Sequence, residues 1–370
     1  MRSRHALRTT TVSLALAAAL LTAGATGAAA TTPGWELSLS GDSAAESLMS
    51  VSAPDADHAW AVGRQGMRGV IMRWDGRSWQ ADTTPGLPAV WQWSAVSAVA
   101  ADDVWAYGSD GDSQTLVHYD GERWSTVPTT GAFDRTWPEV PLDAVPGRLF
   151  KGGDALYTYA DGAWQTFELP PRVDIRDIDA LSADDAYATG MQYPVKDGHP
   201  VVYHWDGTTW TLLPQPPLNQ GTDATEIVAE PSGSVYVGGW AAGADAGPPV
   251  PAVLRWNGTA WQDVTGPLTS MYLESLSSDG KGGLYATGSD KSDDVRSDPF
   301  VWHYDGSTWT KQAAALAPDA ETRWPSYAFH DLAPAGNTGT FWAVGDYSTP
   351  MDSHGDTEIH ALIERSTPES

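Results

Sequence analysis

Arg73-Trp-Asp-Gly-Arg-Ser-Trp79 is the first of six related segments in the chain. The others are HYDGERW (118–124), YADGAW (159–164), HWDGTTW (204–210), RWNGTAW (255–261) and HYDGSTW (303–309). Each places Asp-Gly or Asn-Gly between aromatic residues, and the copies recur at intervals of 41 to 51 residues. A period of this size marks repeated supersecondary units, and four-stranded propeller blades fall in that range. Asp-Gly suits a two-residue turn in which both positions take positive φ. That turn would set Trp74 opposite Arg77 and Met72 opposite Trp79.

The segments upstream repeat as well. VSAPDADHAWAVG (51–63) aligns without a gap to VSAVAADDVWAYG (96–108). Later second strands read AYATG (186–190), VYVGG (235–239), LYATG (284–288) and FWAVG (341–345). The third unit is compressed, with RLFKGG (148–153) running almost directly into ALYTYADG. The expectation is an all-β chain: a seven-bladed β-propeller of four-stranded antiparallel blades at 44–84, 91–128, 137–170, 172–214, 222–265, 270–313 and 323–365. The seventh unit ends in EIHALIERS, with no Asp-Gly and no following tryptophan. Trp35-Glu-Leu-Ser-Leu supplies the missing pattern, so the N-terminal strand is expected to complete the last blade and close the ring. Trp35, Trp79, Trp124, Trp164, Trp210, Trp261 and Trp309 then form one column of inter-blade packing.

The first thirty residues read as a secretory signal peptide. Arg2, Arg4 and Arg8 precede an apolar run from Val12 to Leu21, and Ala28 and Ala30 form a small-residue cleavage site before Thr31. The run is too short to span a bilayer as a helix. The expected product is one domain, residues 31–370, secreted and extracellular, without membrane insertion, and a monomer. Formal net charge is −26, and no acidic residue lies in the first thirty. That charge disfavours nucleic acid and anionic membrane surfaces. There are no cysteines, so an exported chain here does without disulfides; a chain of this length can bury enough core to manage.

In these residues the chain resembles kelch and galactose-oxidase-like propellers. Gly238-Gly239 followed by Trp256 and Trp261 is the nearest copy of the kelch glycine pair and its spaced aromatics; most other blades keep one glycine, as at Gly63 and Gly108. The resemblance implies the propeller fold over the mature chain. It does not extend to galactose-oxidase chemistry, which needs a Cys–Tyr cross-link at copper. DG-x-x-W is also similar to the Asp-box of sialidase-like propellers, but lacks the residue between Asp and Gly.

Propeller topology sorts the loops onto two faces. Turns between first and second strands share one face with the Asp-Gly tips and are short and repetitive. Loops between second and third strands share the other with the blade-to-blade connections; 190–200, 239–251, 289–299 and 345–358 are long and variable. A ligand site is expected on that second face. Candidate ligand contacts are Trp91, Trp93, Arg135, Trp137, Arg172, Arg176, Arg323, Trp324 and Tyr327, since aromatics beside arginines suit sugar faces and carboxylates.

Arg73, His118, Tyr159, His204, Arg255 and His303 read as one third-strand column engaged in inter-blade hydrogen bonds. No cofactor and no metal are expected; Asp352, His354, Asp356, Glu358 and His360, at strand spacing, are the nearest approach to a metal cage. Eligible acid/base carboxylates are Asp134, Glu139, Asp174, Glu226 and Glu274, and no H-E-x-x-H, G-x-S-x-G or phosphate loop is present. Two functions follow. One is an exported, non-catalytic binding propeller for a glycan or an extracellular or cell-envelope protein. The alternative is an extracellular glycoside hydrolase or polysaccharide lyase using carboxylates and arginines at the channel mouth.

Overall fold

The computed structural model describes residues 34–40, 43–111, 113–129, 141–193, 198–218, 221–244, 247–292, 298–317, 326–349 and 357–366. Seven four-stranded antiparallel sheets follow one another around a ring. Their first, innermost strands are Ser47–Ser52, Gln92–Ala100, Leu142–Val145, Val173–Ser182, Thr222–Ala229, Met271–Ser278 and Ser326–Pro334. Blades one to six are each a continuous run of chain. In blade seven the outer strand is Trp35–Leu39, hydrogen-bonded to Ile359–Ser366 with Trp35 opposite Ser366. Among the described residues no helix is long and apolar enough to cross a membrane.

The hairpin tips differ from the two-residue turn that Asp-Gly predicts. Trp74 pairs with Trp79, not with Arg77, so four residues form the tip. The Asp75 carboxylate explains the longer loop: its Oδ1 accepts the amides of Arg77 and Ser78, both at 2.9 Å. Asp120, Asp206, Asn257 and Asp305 accept the same pair of amides in their own tips. A side-chain acceptor for two amides makes a self-capped turn that competes with the tighter hairpin. Blade three alone has the two-residue turn, with Ala160 opposite Ala163 and positive φ at Asp161 (52°) and Gly162 (77°). Tyr159 therefore occupies the position of Trp74, and Thr158 rather than Tyr159 the position of Arg73.

The outer tryptophans join each blade to the one before it. The indole N–H of Trp124 donates to Asp82 Oδ2 (2.9 Å), and those of Trp164, Trp261 and Trp309 donate to the carbonyls of Pro128, Pro214 and Val264. Trp35 does the same with Gln312 Oε1 at 3.0 Å, so the closing strand uses the same contact as every complete blade that makes it. Trp79 and Trp210 instead pack on rings of the preceding blade, Trp342 and Phe150. At the closure, the Ala315 amide donates to the enclosed Glu364 carboxylate (2.9 Å).

The recurrent second-strand glycine has a geometric cause. In six blades the first strand slips by one residue against the second, at Leu48/Ser50, Trp93/Ala95, Ile175/Asp177, Ala224/Glu226, Leu273/Ser275 and Phe329/Asp331. Facing each bulge is Gly63, Gly108, Gly190, Gly239, Gly288 or Gly345. A Cβ there would stand 1.8–2.6 Å from a first-strand carbonyl oxygen. Glycine is thus required by close backbone approach at a bulge.

Two outcomes are expected. Deleting residues 31–40 removes the outer strand of blade seven and exposes a sheet edge; thermal unfolding followed by circular dichroism should show a Tm lower by on the order of 10 °C. Gly239→Ala and Gly288→Ala, where the clash is 1.8 Å with backbone, should each cost about 3 kcal/mol or more in denaturant unfolding.

Candidate binding site at the channel mouth

The seven first strands enclose an axial cavity of about 1060 Å³. Its wall is tied together around the circumference. The Val96 and Ala98 amides of blade two donate to the Ser50 and Ser52 hydroxyls of blade one, at 3.3 and 2.9 Å. Ala144 N–H donates to Ser97 Oγ (2.9 Å), Ala180 N–H to Asp143 (2.9 Å), and Ile227 and Ala229 N–H to Asp177 and Asp179 (both 2.7 Å). Leu332 N–H donates to Ser275 Oγ (3.1 Å), and Val51 N–H to Asp331 (2.8 Å), which joins blade seven to blade one. Blades five and six meet lower down, through Ser278–Glu230 and the Tyr236 hydroxyl on the Gly282 carbonyl.

These acids are half-buried, with one edge on the channel. Burial pushes Asp331 up to about 6, and the amides donated by Val51 and Leu332 offset it only in part. Burial moves Asp143, Asp177 and Asp179 in the same direction.

Above this wall lies a second tier. The residue extruded by each of the six bulges is Met49, Ser94, Arg176, Thr225, Glu274 or His330, and all six line the cavity. The frame is constant while this tier changes chemistry from blade to blade. His330 Nδ1 meets Glu274 Oε2 at 2.8 Å, and its Nε2 meets Asp346 Oδ2 at 3.1 Å. Ser289 donates to the other Glu274 oxygen (2.7 Å), and Ser47 of blade one donates to Asp346 (2.6 Å). Burial alone would lower the imidazole; the hydrogen bonds and charges of Asp346 and Glu274 outweigh it and raise His330 to about 10. It is an imidazolium clamped between two carboxylates.

Arg176 reaches Tyr193 Oη at 2.8 Å and Asp174 at 3.5 Å. Next to it, Asp223 and Trp240 are cross-strand partners. Trp240 meets Tyr272 of blade six edge-on, with ring centroids 4.5 Å apart. Trp240, Tyr272, Asp223 and Thr225 all line the cavity.

Of the residues expected to contact a ligand, Arg176 lies in this mouth. Arg172 is exposed just before it, at φ 68°, and its carbonyl accepts the Tyr193 amide (2.9 Å). Trp91 is half exposed on the connection between blades one and two. Trp93 is buried, its ring lying over Gly69 and Gly108, so its place is inter-strand packing rather than the mouth. Tyr327 is buried too, with its hydroxyl accepting the Ala317 amide at 2.9 Å. Arg135, Trp137, Arg323 and Trp324 lie outside the described residues, as do Asp352, His354 and Asp356. Glu358 and His360 stand 3.7 Å apart, and His360 stacks on Tyr347. Among the described residues no cluster of metal-binding side chains occurs.

The histidine column differs from its inter-blade reading. His118, His204 and His303 bond Asp103, Asp185 and Asp279 of their own blades and stack on Trp105, Tyr187 and Tyr285. Arg255 also stays within its blade, donating to Ser234 Oγ (2.8 Å), while Arg73 crosses to Tyr119 Oη (3.2 Å). Asp223, Thr225, Trp240, Tyr272 and His330 are absent from the sequence-derived site. For Thr225 and His330 the signal is positional: the bulge residue precedes the second-strand glycine by 14 or 15 residues; Asp223, Trp240 and Tyr272 carry no such signal.

No protein-family model and no curated protein matches the chain. Solved propellers do match in fold. YCF48 bound to D1 peptide aligns over 90% of this chain and 95% of its own, at 14% identity and a TM-score of 0.59. YCF48 from Cyanidioschyzon merolae gives 13% identity and 0.58, over 91% and 100%. The Niastella koreensis GH74 enzyme gives 14% and 0.60, over 83% of this chain and 52% of that one. These likenesses show the seven-bladed fold, with binding proteins and glycoside hydrolases among the neighbours, and none of these three is a kelch or galactose-oxidase-like protein.

The wall acids make stability depend on pH. Free aspartate titrates near 3.8 and Asp331 near 6, so the fold holds the proton more tightly than the unfolded chain. That stabilisation is complete below the ordinary value and is lost as pH rises through the folded one. His330, raised to about 10, and Glu364, pushed up to about 8 by burial, act in the same sense at higher pH. The Tm should therefore be higher at about pH 5 than at about pH 7.5; an equal or lower value at the acidic point would contradict the assignment.

Proposed function

We propose that the chain is an exported, non-catalytic binding propeller. It takes a glycan or an extracellular or cell-envelope protein at the channel mouth, on the face that carries the long loops. The observation behind this reading is the bulge tier: a recurrent frame that presents a different side chain in each of the six blades that carry it, polar in four successive blades from Arg176 to His330. Exposed apolar side chains gather on the same face, with Met67, Trp91, Tyr193, Val250 and Leu316 in or beside its loops. Such exposed groups, near a cavity with a few convergent polar groups, are typical of recognition surfaces.

Catalysis is disfavoured by how the acids are used. Asp143, Asp177, Asp179 and Asp331 accept backbone amides of the next blade, and Glu274 is held by His330 and Ser289. A general acid or base needs a carboxyl that can swing onto substrate and exchange its proton. The YCF48 neighbour holds a peptide and the GH74 neighbours are enzymes; at this identity they contribute only that the architecture serves both uses. Secretion belongs to the same proposal, resting on the N-terminal pattern, and kelch-like kinship enters it only through the glycine and aromatic spacing.

Glycan-array binding and polysaccharide turnover measured together on the mature chain test the proposal. Binding without product release is expected. Release of new reducing ends or unsaturated products, abolished by Glu274→Gln, would replace it with the hydrolase or lyase reading. N-terminal sequencing of exported protein should begin close to Thr31; recovery from the cytosol alone, with Met1 retained, would contradict export.

A further inference from the structure

We infer that the mouth between blades four and six is a subsite for an uncharged sugar ring, gripped by its hydroxyls against Trp240. This rests on the binding-propeller reading and narrows its ligand class. The groups that carry it are Arg176, Asp223, Thr225, Trp240, Tyr272 and Glu274, drawn from three consecutive blades and lining one cavity.

Two buried oxygens in this mouth, the Asp223 Oδ1 acceptor and the Thr225 hydroxyl, make no hydrogen bond within the protein. A buried polar atom left without a partner costs about 1–3 kcal/mol. Arg176 Nε, a donor in the same mouth, likewise makes no hydrogen bond within the protein, so the site calls for a ligand that both donates and accepts. Hydroxyls, ammonium groups and guanidinium groups could each supply the donors, and charge decides among these.

Charged groups of the mouth are already engaged with one another. Arg176 is paired with Asp174; burial raises the neighbouring Asp223 carboxyl, and Arg176 offsets that only in part. Glu274 and Asp346 share the His330 imidazolium. An incoming anion would meet Asp223, Asp174 and Glu274. An incoming cation would meet Arg176, the His330 imidazolium and Lys291, whose Nζ stands 5.7 Å from the Tyr272 ring centroid. Glu226 also lines the cavity and, like Asp174, is already engaged, so a charged ligand would lose hydration to meet groups that already have partners. A neutral polyol loses less and can donate to Asp223 and Thr225 while accepting from Arg176.

The aromatic geometry agrees. Tyr272 meets Trp240 at an interplanar angle of 76°, so the pair forms a corner and not a flat stack. An aromatic wall beside planar hydrogen-bonding groups offers the apolar C–H face of a pyranose one surface and its hydroxyl edge another. Both residues are half-buried at the channel edge, consistent with access from solvent.

Isothermal titration of the mature chain with neutral gluco-, manno-, galacto- and xylo-oligosaccharides, against oligouronates and amino-sugar oligomers, tests the inference. Trp240→Ala, Trp240→Phe and the isosteric Thr225→Val would be compared at unchanged Tm. The expected result is binding of a neutral oligosaccharide, weakened at least about tenfold by Trp240→Ala, less by Trp240→Phe, and several-fold by Thr225→Val. Preference for uronates or amino sugars, no neutral ligand bound at millimolar concentration, or affinity unchanged in Trp240→Ala and Thr225→Val would each overturn it. Capture of a protein on the long-loop face, indifferent to these variants, would remove the sugar subsite and leave the binding-propeller reading intact. Turnover of a neutral glycan, lost in Trp240→Ala, would do the reverse.

Discussion

Backbone amides of one blade are received by side-chain acceptors of the blade before it, and the rest of the molecule depends on that contact. Ser50, Ser52, Ser97, Asp143, Asp177, Asp179, Ser275 and Asp331 supply the acceptors. A blade's inner strand is an edge strand, and its outward amides would otherwise go unmet in a confined channel. Short acceptors fit because the first strands converge there. Longer side chains could not bridge so small a gap without filling the cavity. The price is the burial of acids, which explains why their carboxyls hold protons more tightly than free aspartate.

The bulge separates scaffold from site. It needs glycine on the second strand, because the two backbones approach within a distance that no Cβ tolerates. In return it turns one residue toward the mouth in each of six blades, outside the in–out alternation of the strand. That residue takes no part in the sheet's packing pattern, so it is open to change. Met49 and Ser94 leave blades one and two bland, while Arg176, Thr225, Glu274 and His330 make the far side polar. Asymmetry of function thus arises on a symmetric frame, and only a few side chains carry it.

The architecture was legible because its determinants are local and repeated. Six aromatic tips, the second-strand glycine and the orphan strand at Trp35 led to seven blades and a closed ring. The tip register was not legible: Asp-Gly favours a two-residue turn, and only the capping of two amides by Asp75 and its counterparts shows that a four-residue loop wins. Of the candidate contacts read from the sequence, Arg176 lines the cavity. Trp93 reads from sequence like Trp91, yet one is core and the other surface, because position relative to the bulge decides it. Trp240 and His330 carry no local motif. His330 reaches the mouth through the slip of one strand against another, and Trp240 through its pairing with Asp223, neither of which pattern reading along a single strand registers.

The central claim is that a circumferential set of amide bonds, closed by the Trp35–Leu39 strand, makes the ring one cooperative unit. Native-state hydrogen exchange measures it at single amides. Val51, Ala98, Ala144, Ala180, Ile227, Ala229 and Leu332 should exchange among the slowest in the protein, with one shared opening free energy equal to that of global unfolding. If the amides at one blade junction, above all Val51 at the closure, exchange through a separate and easier opening, the ring is not held together in this way.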